Sequence, residues 1–391
     1  MRTVPLGEVV EFRSGVGFPL RMQGRSSGRF PFAKVGDISS IARAGASEIS
    51  GAGNYIDRDD VVELRARTIP PGATLFAKIG EAIRQNYRVI AGVEMLLDNN
   101  CMAAIPDDSV MDYRYLFEML KTIDLYRYAS STTVPSLRKS DLEGIQVPLP
   151  PIADQIRIAA ILHSVNVAVR LNRRLLVDHT SLVASALHRL VGQEVARVSF
   201  SSLILEGPTN GIYLPATKYG SGTPILRIDG FDAAGTFGAK PWRRVEVERT
   251  DLEKFGLRDG DIVVNRVNAL SHLGKSAVIS ELPELSVYES NMMRMRLDET
   301  RVNPVFVAHW LNSSSAKKQV LSRAKKAVNQ ASINQSDVRS LLVPDVDKAR
   351  QDLFAREVAQ IRRSMFQVNE RSVLLKELLS SLRSRAFSGQ L

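Results

Sequence analysis

The sequence predicts an α+β chain. Two similar α/β domains are joined by two long antiparallel coiled-coil helices, and the whole carries a pseudo-two-fold internal repeat. Three observations carry this prediction: the chain resembles itself at an offset of half its length, each half opens with short strand-like runs, and each half closes on a long stretch with heptad spacing.

Ser136-Leu137-Arg138-Lys139-Ser140-Asp141-Leu142 matches Ser332-Ile333-Asn334-Gln335-Ser336-Asp337-Val338 at an offset of 196 residues. At that offset Pro148 meets Pro344 and Gln155 meets Gln351. Upstream, Pro31-Phe32-Ala33-Lys34-Val35 resembles Pro224-Ile225-Leu226-Arg227-Ile228, and residues 71–79 resemble 259–267. The offset drifts as loop-length differences require. Gly192-Gln193 and Gly389-Gln390 close the two halves. The same order of matches divides the chain into a first domain at 1–150, a first helix at 151–192, a second domain at 193–346 and a second helix at 347–391.

Within the first half, strand-like runs broken by Gly, Pro and Asn fall at 4–12, 30–35, 73–79 and 87–93. A helical stretch follows at 113–128, then a loop at 129–135. Pro148, Pro150 and Pro151 punctuate the chain before a helix at about 154–190 with no Pro or Gly inside. Its apolar residues alternate by four and three: Ile158, Leu162, Val165, Val169, Leu176, with Asn172 and His179 interrupting. The second seam includes Val358, Ile361, Leu375, Leu379 and Leu382, with Ser372 interrupting. Sustained heptads flanked by arginines predict a coiled coil. Two amphipathic helices, each lying on its own domain, are the plainer alternative. The polar interruptions either fix register from inside the seam or sit at its edge and reach water.

Composition narrows the function. There are 52 Lys and Arg against 42 Asp and Glu, a net charge of +10, which favours polyanion partners. Cys101 is the single cysteine, which excludes a disulfide framework and a cysteine-rich zinc site. The first twelve residues hold Glu8 and Glu11 and no apolar signal core, and no run of eighteen apolar residues occurs. The expectation is a cytoplasmic protein with no membrane partner.

Catalytic signals are weak. Residues 269–276, Ala-Leu-Ser-His-Leu-Gly-Lys-Ser, fit a loose phosphate-loop pattern, but Ala277-Val278-Ile279 reads as a strand where such a loop needs a helix. Gly15-Val16-Gly17 lacks the third glycine of a dinucleotide site, and the five histidines show no zinc-ligand spacing. No metal site is expected.

The polar residues that DNA recognition needs are present in both halves: cations for phosphates, and Arg, Lys, Asn or Gln for base edges. In the first half these are Lys34, Lys78, Arg84, Gln85, Asn86, Arg88, Arg138 and Lys139. In the second half they are Arg227, Asn265, Arg266, Asn268, His272, Lys275, Lys325, Lys326, Asn329, Gln330 and Asn334. A charge run is ordinarily a solvated face. The repeated placement beside amide side chains favours contact with nucleic acid.

Taken together, the pattern resembles the specificity subunit of type I restriction-modification systems. The strongest local match is Gln146-Val147-Pro148-Leu149-Pro150-Pro151-Ile152-Ala153-Asp154-Gln155-Ile156-Arg157-Ile158-Ala159-Ala160-Ile161-Leu162, similar to that family's first conserved region. Leu257-Arg258-Asp259-Gly260-Asp261-Ile262-Val263 resembles the Gly-Asp-Ile strand of its target recognition domains. The second conserved region departs from the pattern, with Val343-Pro344-Asp345-Val346-Asp347 in place of the double proline. The resemblance implies a non-catalytic subunit of a DNA adenine methyltransferase and restriction complex, with each target recognition domain reading half of a split double-stranded DNA site. It implies docking of two modification (methyltransferase) subunits and of restriction/translocase subunits, and a role in phage defence. S-adenosylmethionine, ATP and Mg would then belong to the partners, with no cofactor bound by this chain. Three other readings stay open: a specificity subunit for one fused restriction–methylation enzyme, a P-loop ATPase using 269–276, and a coiled-coil adaptor that binds protein only.

Overall fold

The computed structural model describes residues 2–130, 133–192, 196–232, 235–238, 241–328 and 330–390. The chain forms two compact units. The first comprises Met1–Arg174 and Glu370–Leu391, the second Leu175–Asn369.

In the first unit, strand Thr3–Pro5 pairs antiparallel with Gln146–Pro148. A five-stranded sheet follows in the spatial order Val10–Ser14, Cys101–Pro106, Thr74–Ala77, Val89–Ala91, Glu48–Ile49. A smaller sheet places Phe30–Ala33 between Tyr55–Ile56 and Leu96–Leu97. The helices are α1 (Val35–Arg43), α2 (Arg58–Glu63), α3 (Tyr113–Thr122), α4 (Lys139–Glu143) and the start of α5 (Ile152–Val191).

The five-stranded sheet is buried on both faces. Phe76 and Met102 face a core with Tyr115 of α3 and Ile158 and Leu162 of α5, while Leu75 and Ala103 face Ile38 of α1. Covered faces explain why Cys101-Met102-Ala103-Ala104 is apolar throughout rather than alternating.

The second unit repeats this plan. Arg197–Ser199 pairs antiparallel with Leu342–Pro344. Its main sheet has the order Ile204–Asn210, Met292–Leu297, Ile262–Asn265, Ser276–Val278. Tyr219–Leu226 lies between Arg243–Val245 and Val287–Tyr288, and pairs parallel with the latter, as Phe30–Ala33 does with Leu96–Leu97. Its helices are α6 (Arg249–Phe255), α7 (Pro304–Leu311), α8 (Ser314–Arg323), α9 (Gln335–Arg339), the end of α5 and the start of α10 (Lys348–Ser388), whose remainder from Glu370 belongs to the first unit.

Both long helices have the predicted seam. Ile158, Leu162, Val358 and Ala386 are buried, and Val165, Val169, Leu176, Ile361, Leu375, Leu379 and Leu382 are half-buried. In the first unit Asn172 donates to the Ser372 hydroxyl. In the second, the His179 ring hydrogen-bonds Ser364 at 2.8 Å and Arg189 pairs with Glu357 at 3.0 Å. Within the second unit the residue numbers rise on one helix as they fall on the other, so the two helices run antiparallel there. Asn172 is buried and its partner lies across the seam, which decides for the inside position over the edge. The helices also lie on the domains. Ile158 and Leu162 join the first unit's core with Ala386, and Leu187, Leu190, Phe354 and Val358 join the second's.

The two helices start by different means. Pro151 precedes α5, where a residue with no N–H and a preset φ costs nothing. Asp347 precedes α10, and its carboxylate accepts the N–H groups of Ala349 and Arg350 at 2.8 and 3.3 Å. An Asp cap thus replaces the double proline. Helix α5 is long enough, and in one window of mean hydropathy 1.3 apolar enough, to cross a membrane by length and composition. The absence of any uninterrupted apolar run had predicted none. Its apolar residues instead divide between the seam, the domain cores and an exposed face.

Candidate nucleic-acid interface

The candidate residues cluster where the central strands end. In the first unit, the backbone N–H of Leu137 donates to the carbonyl of Lys78 at 2.9 Å, and that of Gly80 to Pro135. Ile79 and Ser136 bridge antiparallel. In the second unit, the N–H of Ile333 donates to the carbonyl of Arg266 at 2.9 Å, and Val267–Asn268 pairs with Ala331 and Ser332. The positions correspond one to one across the repeat. Each domain therefore stitches the loop after its central strand to the segment leading into its short helix, α4 or α9.

That end of the sheet also carries the loop after the first long strand. Gly15 and Gly211 open it, and neither tolerates a side chain: a Cβ would lie 2.0 Å from the Asp98 carbonyl or 2.3 Å from that of Glu289. The close approach lets Val16 and Ile212 bridge to Asp98 and Glu289. The glycine at 15 thus serves packing between loops.

Several candidates face solvent there. Gln85, Arg138, Lys139, His272, Lys325, Lys326 and Gln330 are exposed, and Lys78 and Asn268 are half-exposed. Arg138, Lys139, Lys325 and Lys326 enter no ion pair among the described residues. Arg84 is exposed but lies over the Tyr126 ring at 4.0 Å, pairs with Glu81 at 3.0 Å and bonds the Tyr126 hydroxyl at 2.6 Å.

Others are committed internally. Arg88 is 5% exposed, donates to Tyr87 and Asn86, and has its pKa pushed down to about 9 by burial. Asn86 sits at φ 52°, donates to Ile123 and accepts from Arg88 and Leu125. Lys34 bonds Gln23 at 2.7 Å and Arg227 pairs with Glu289 at 3.4 Å. Asn265 is buried and donates to Ile228. Arg266 donates to Ser290 at 3.0 Å, and Asn334 caps α9. Lys275 binds the carbonyls of Ile228 and Phe231, and burial lowers its pKa. Asn329 lies outside the described residues.

Residues 269–276 form a turn that leads into strand Ser276–Val278. The helix a phosphate loop requires is not there, and Lys275 is engaged by backbone carbonyls. Among the described residues no group of three His, Cys, Asp or Glu is placed to hold a metal.

Two exposed residues at this surface escaped the polar reading. Tyr213, 81% exposed, follows Gly211, and Val328, 91% exposed, tops the Lys325–Ala327 strand. The paired glycines at 15 and 211 were the signal for the first; nothing in the local sequence distinguishes the second from a core valine.

Comparison with known proteins accords with this geometry. Residues 1–177 match the model of the type I restriction modification DNA specificity domain. The MjaX type I restriction enzyme specificity subunit of Methanocaldococcus jannaschii is 25% identical over 47% of this chain and 44% of its own length. The EcoKI specificity subunit of Escherichia coli is 23% identical over 67% of this chain and 61% of its own. The matches thus span about half to three fifths of these relatives. The type I S subunit of M. genitalium has the same fold, with a TM-score of 0.60 at 12% identity, over 99% of this chain and 96% of that one. The resemblance first seen around Pro148–Gln155 therefore extends, by family model, through residues 1–177 and, by fold, along the chain: it is similar to the specificity subunits of type I restriction-modification systems.

Proposed function

We propose that this chain is the DNA-specificity subunit of a type I restriction-modification complex, in which each unit reads half of a bipartite double-stranded site. The observation that carries this reading is the duplicated sheet end. The Leu137–Lys78 and Ile333–Arg266 backbone bonds hold the same two loops together in both units, and exposed cations that enter no ion pair among the described residues lie beside them. Arg and Lys there neutralise phosphates, and Gln and Asn match base edges.

The chain itself carries no catalytic step in this account. Methyl transfer with S-adenosylmethionine, and cleavage with ATP and Mg, belong to modification and restriction partners in the cytoplasm. Surface for such partners exists on the helices. In the first unit Ile156, Leu171, Val373 and Leu374 are exposed, and in the second Val177, Leu182, Leu353 and Phe366. These exposed apolar side chains are surface that another chain could cover. The same apolar surface also suits a single fused restriction–methylation partner.

Mapping methylated adenines in the host, with and without this gene, tests the proposal. Loss of methylation at one bipartite motif is the expected result. An unchanged methylation pattern contradicts it.

A further inference from the structure

The second unit carries a ribbon that the main sheet does not need. Strand Lys325–Ala327 pairs antiparallel with Gln330–Ser332, which pairs in turn with Val267–Asn268. Cross-strand partners share a face. Lys325 opposes Ser332 and Ala327 opposes Gln330, while Lys326 opposes Ala331. Ala331 is 1% exposed and belongs to the core. The Ala331 face is therefore the inner one at its base. Lys325, Ala327 and Gln330 form the outer face, all three exposed, with Val328 beyond them at 91% exposure.

We infer that this outer face enters the DNA major groove and reads an A·T pair in the second half-site, with Gln330 on the adenine and Ala327 and Val328 against the thymine methyl. The inference rests on the DNA-reading function proposed above and names its chemistry. A two-stranded ribbon fits the width of the major groove. A glutamine amide offers the donor and acceptor that adenine N7 and N6 complement, and small apolar side chains suit the only methyl group in that groove. Lys325 and Lys326 have no ion-pair partner among the described residues, so phosphates can take that place without breaking a bond. A solvated loop has no need of an apolar residue exposed beyond two lysines. A groove contact supplies a reason for Val328.

The test uses the full chain in its assembled complex and selection from a pool of duplexes with randomised positions. Gln330→Ala should retain the first half-site and lose preference for A·T at one position of the second, by roughly 5- to 100-fold. Val328→Ser should weaken the preference for thymine over uracil at the same pair, since the two differ only in the methyl group. Both side chains are exposed, so thermal unfolding should match the unsubstituted protein, which separates a reading defect from a folding one. An unchanged second half-site in both variants would overturn the inference while leaving DNA reading intact. Failure of the unsubstituted protein to select any motif would overturn both.

Discussion

The side-chain carbonyl of Gln155 accepts the backbone N–H of Asp112 at 2.9 Å, and its amide donates to the carbonyls of Val110 and Pro150. Asp112 is the residue that caps α3, so one buried glutamine ties the entry of the long helix to the entry of the domain helix. Gln351 does the same in the second unit, accepting from Asn303, the cap of α7, and donating to Val346. Removing Gln155 strands the N–H of Asp112 and the carbonyls of Val110 and Pro150, and removing Gln351 strands the N–H of Asn303 and the buried carbonyl of Val346. Gln155→Leu should lower stability by about 1–3 kcal/mol, and Gln351→Leu by a similar amount. Chemical denaturation checks both, and a change below 0.5 kcal/mol, about the scatter of ordinary surface substitutions, would refute the clamp.

His309 predicts a pH dependence. Its Nε2 is buried without a partner among the described residues, and its ring lies edge-on to Phe354 at 5.7 Å. Burial, with help from Arg362, pushes its pKa down to about 4 from 6.5. Above pH 6.5 the ring is neutral folded or unfolded, and its contribution to stability is fully present. Between 6.5 and 4 the unfolded chain takes up a proton that the folded one refuses, and stability falls by up to about 1.4 kcal/mol per pH unit. His309→Phe should flatten that part of the curve in pH-dependent denaturation. An unaltered slope would show that other groups set it.

The seam predicts a phase effect. Inserting two residues after Val169 turns everything beyond it by about 200° around the helix. Asn172 then faces away from Ser372, and Leu176 moves out to solvent. That variant should lose cooperative unfolding. Four inserted residues come close to a whole turn and should be tolerated better, as circular dichroism melts would show.

Charge predicts a salt effect. With roughly eight phosphates neutralised, the logarithm of the affinity of the assembled complex for its DNA should fall against log salt with a slope of about −7. Removing the charges of Arg138 and Lys139 together should make the slope shallower by about 2. A salt-independent affinity would point to the protein-only adaptor.

The long helices were legible because a heptad seam declares itself over many turns: residues 154–190 were expected and Ile152–Val191 observed. The stretch at 113–128 read as one helix, yet α3 stops at Thr122. Asp124 then accepts the N–H of Tyr126 and starts a separate turn at Leu125–Tyr128. Strand Cys101–Pro106 went unread because burial on both faces erases the alternation by which a strand is recognised. Met292–Leu297 keeps it, with Met293, Met295 and Leu297 buried and Arg294 and Arg296 half-exposed between them, and a period-2 reading would have found it. The site was legible as a neighbourhood and not residue by residue. Arg88 and Arg138 look alike in sequence. Only packing shows that one is buried against Phe76 and the other is exposed at the α4 cap.

Independent reading by two repeated domains is the central claim, and exchanging residues 1–147 for another recognition domain tests it most directly. The complex carrying the hybrid chain should methylate a site with one half altered and the other half preserved. If both halves change together, or neither does, the two units do not read DNA separately.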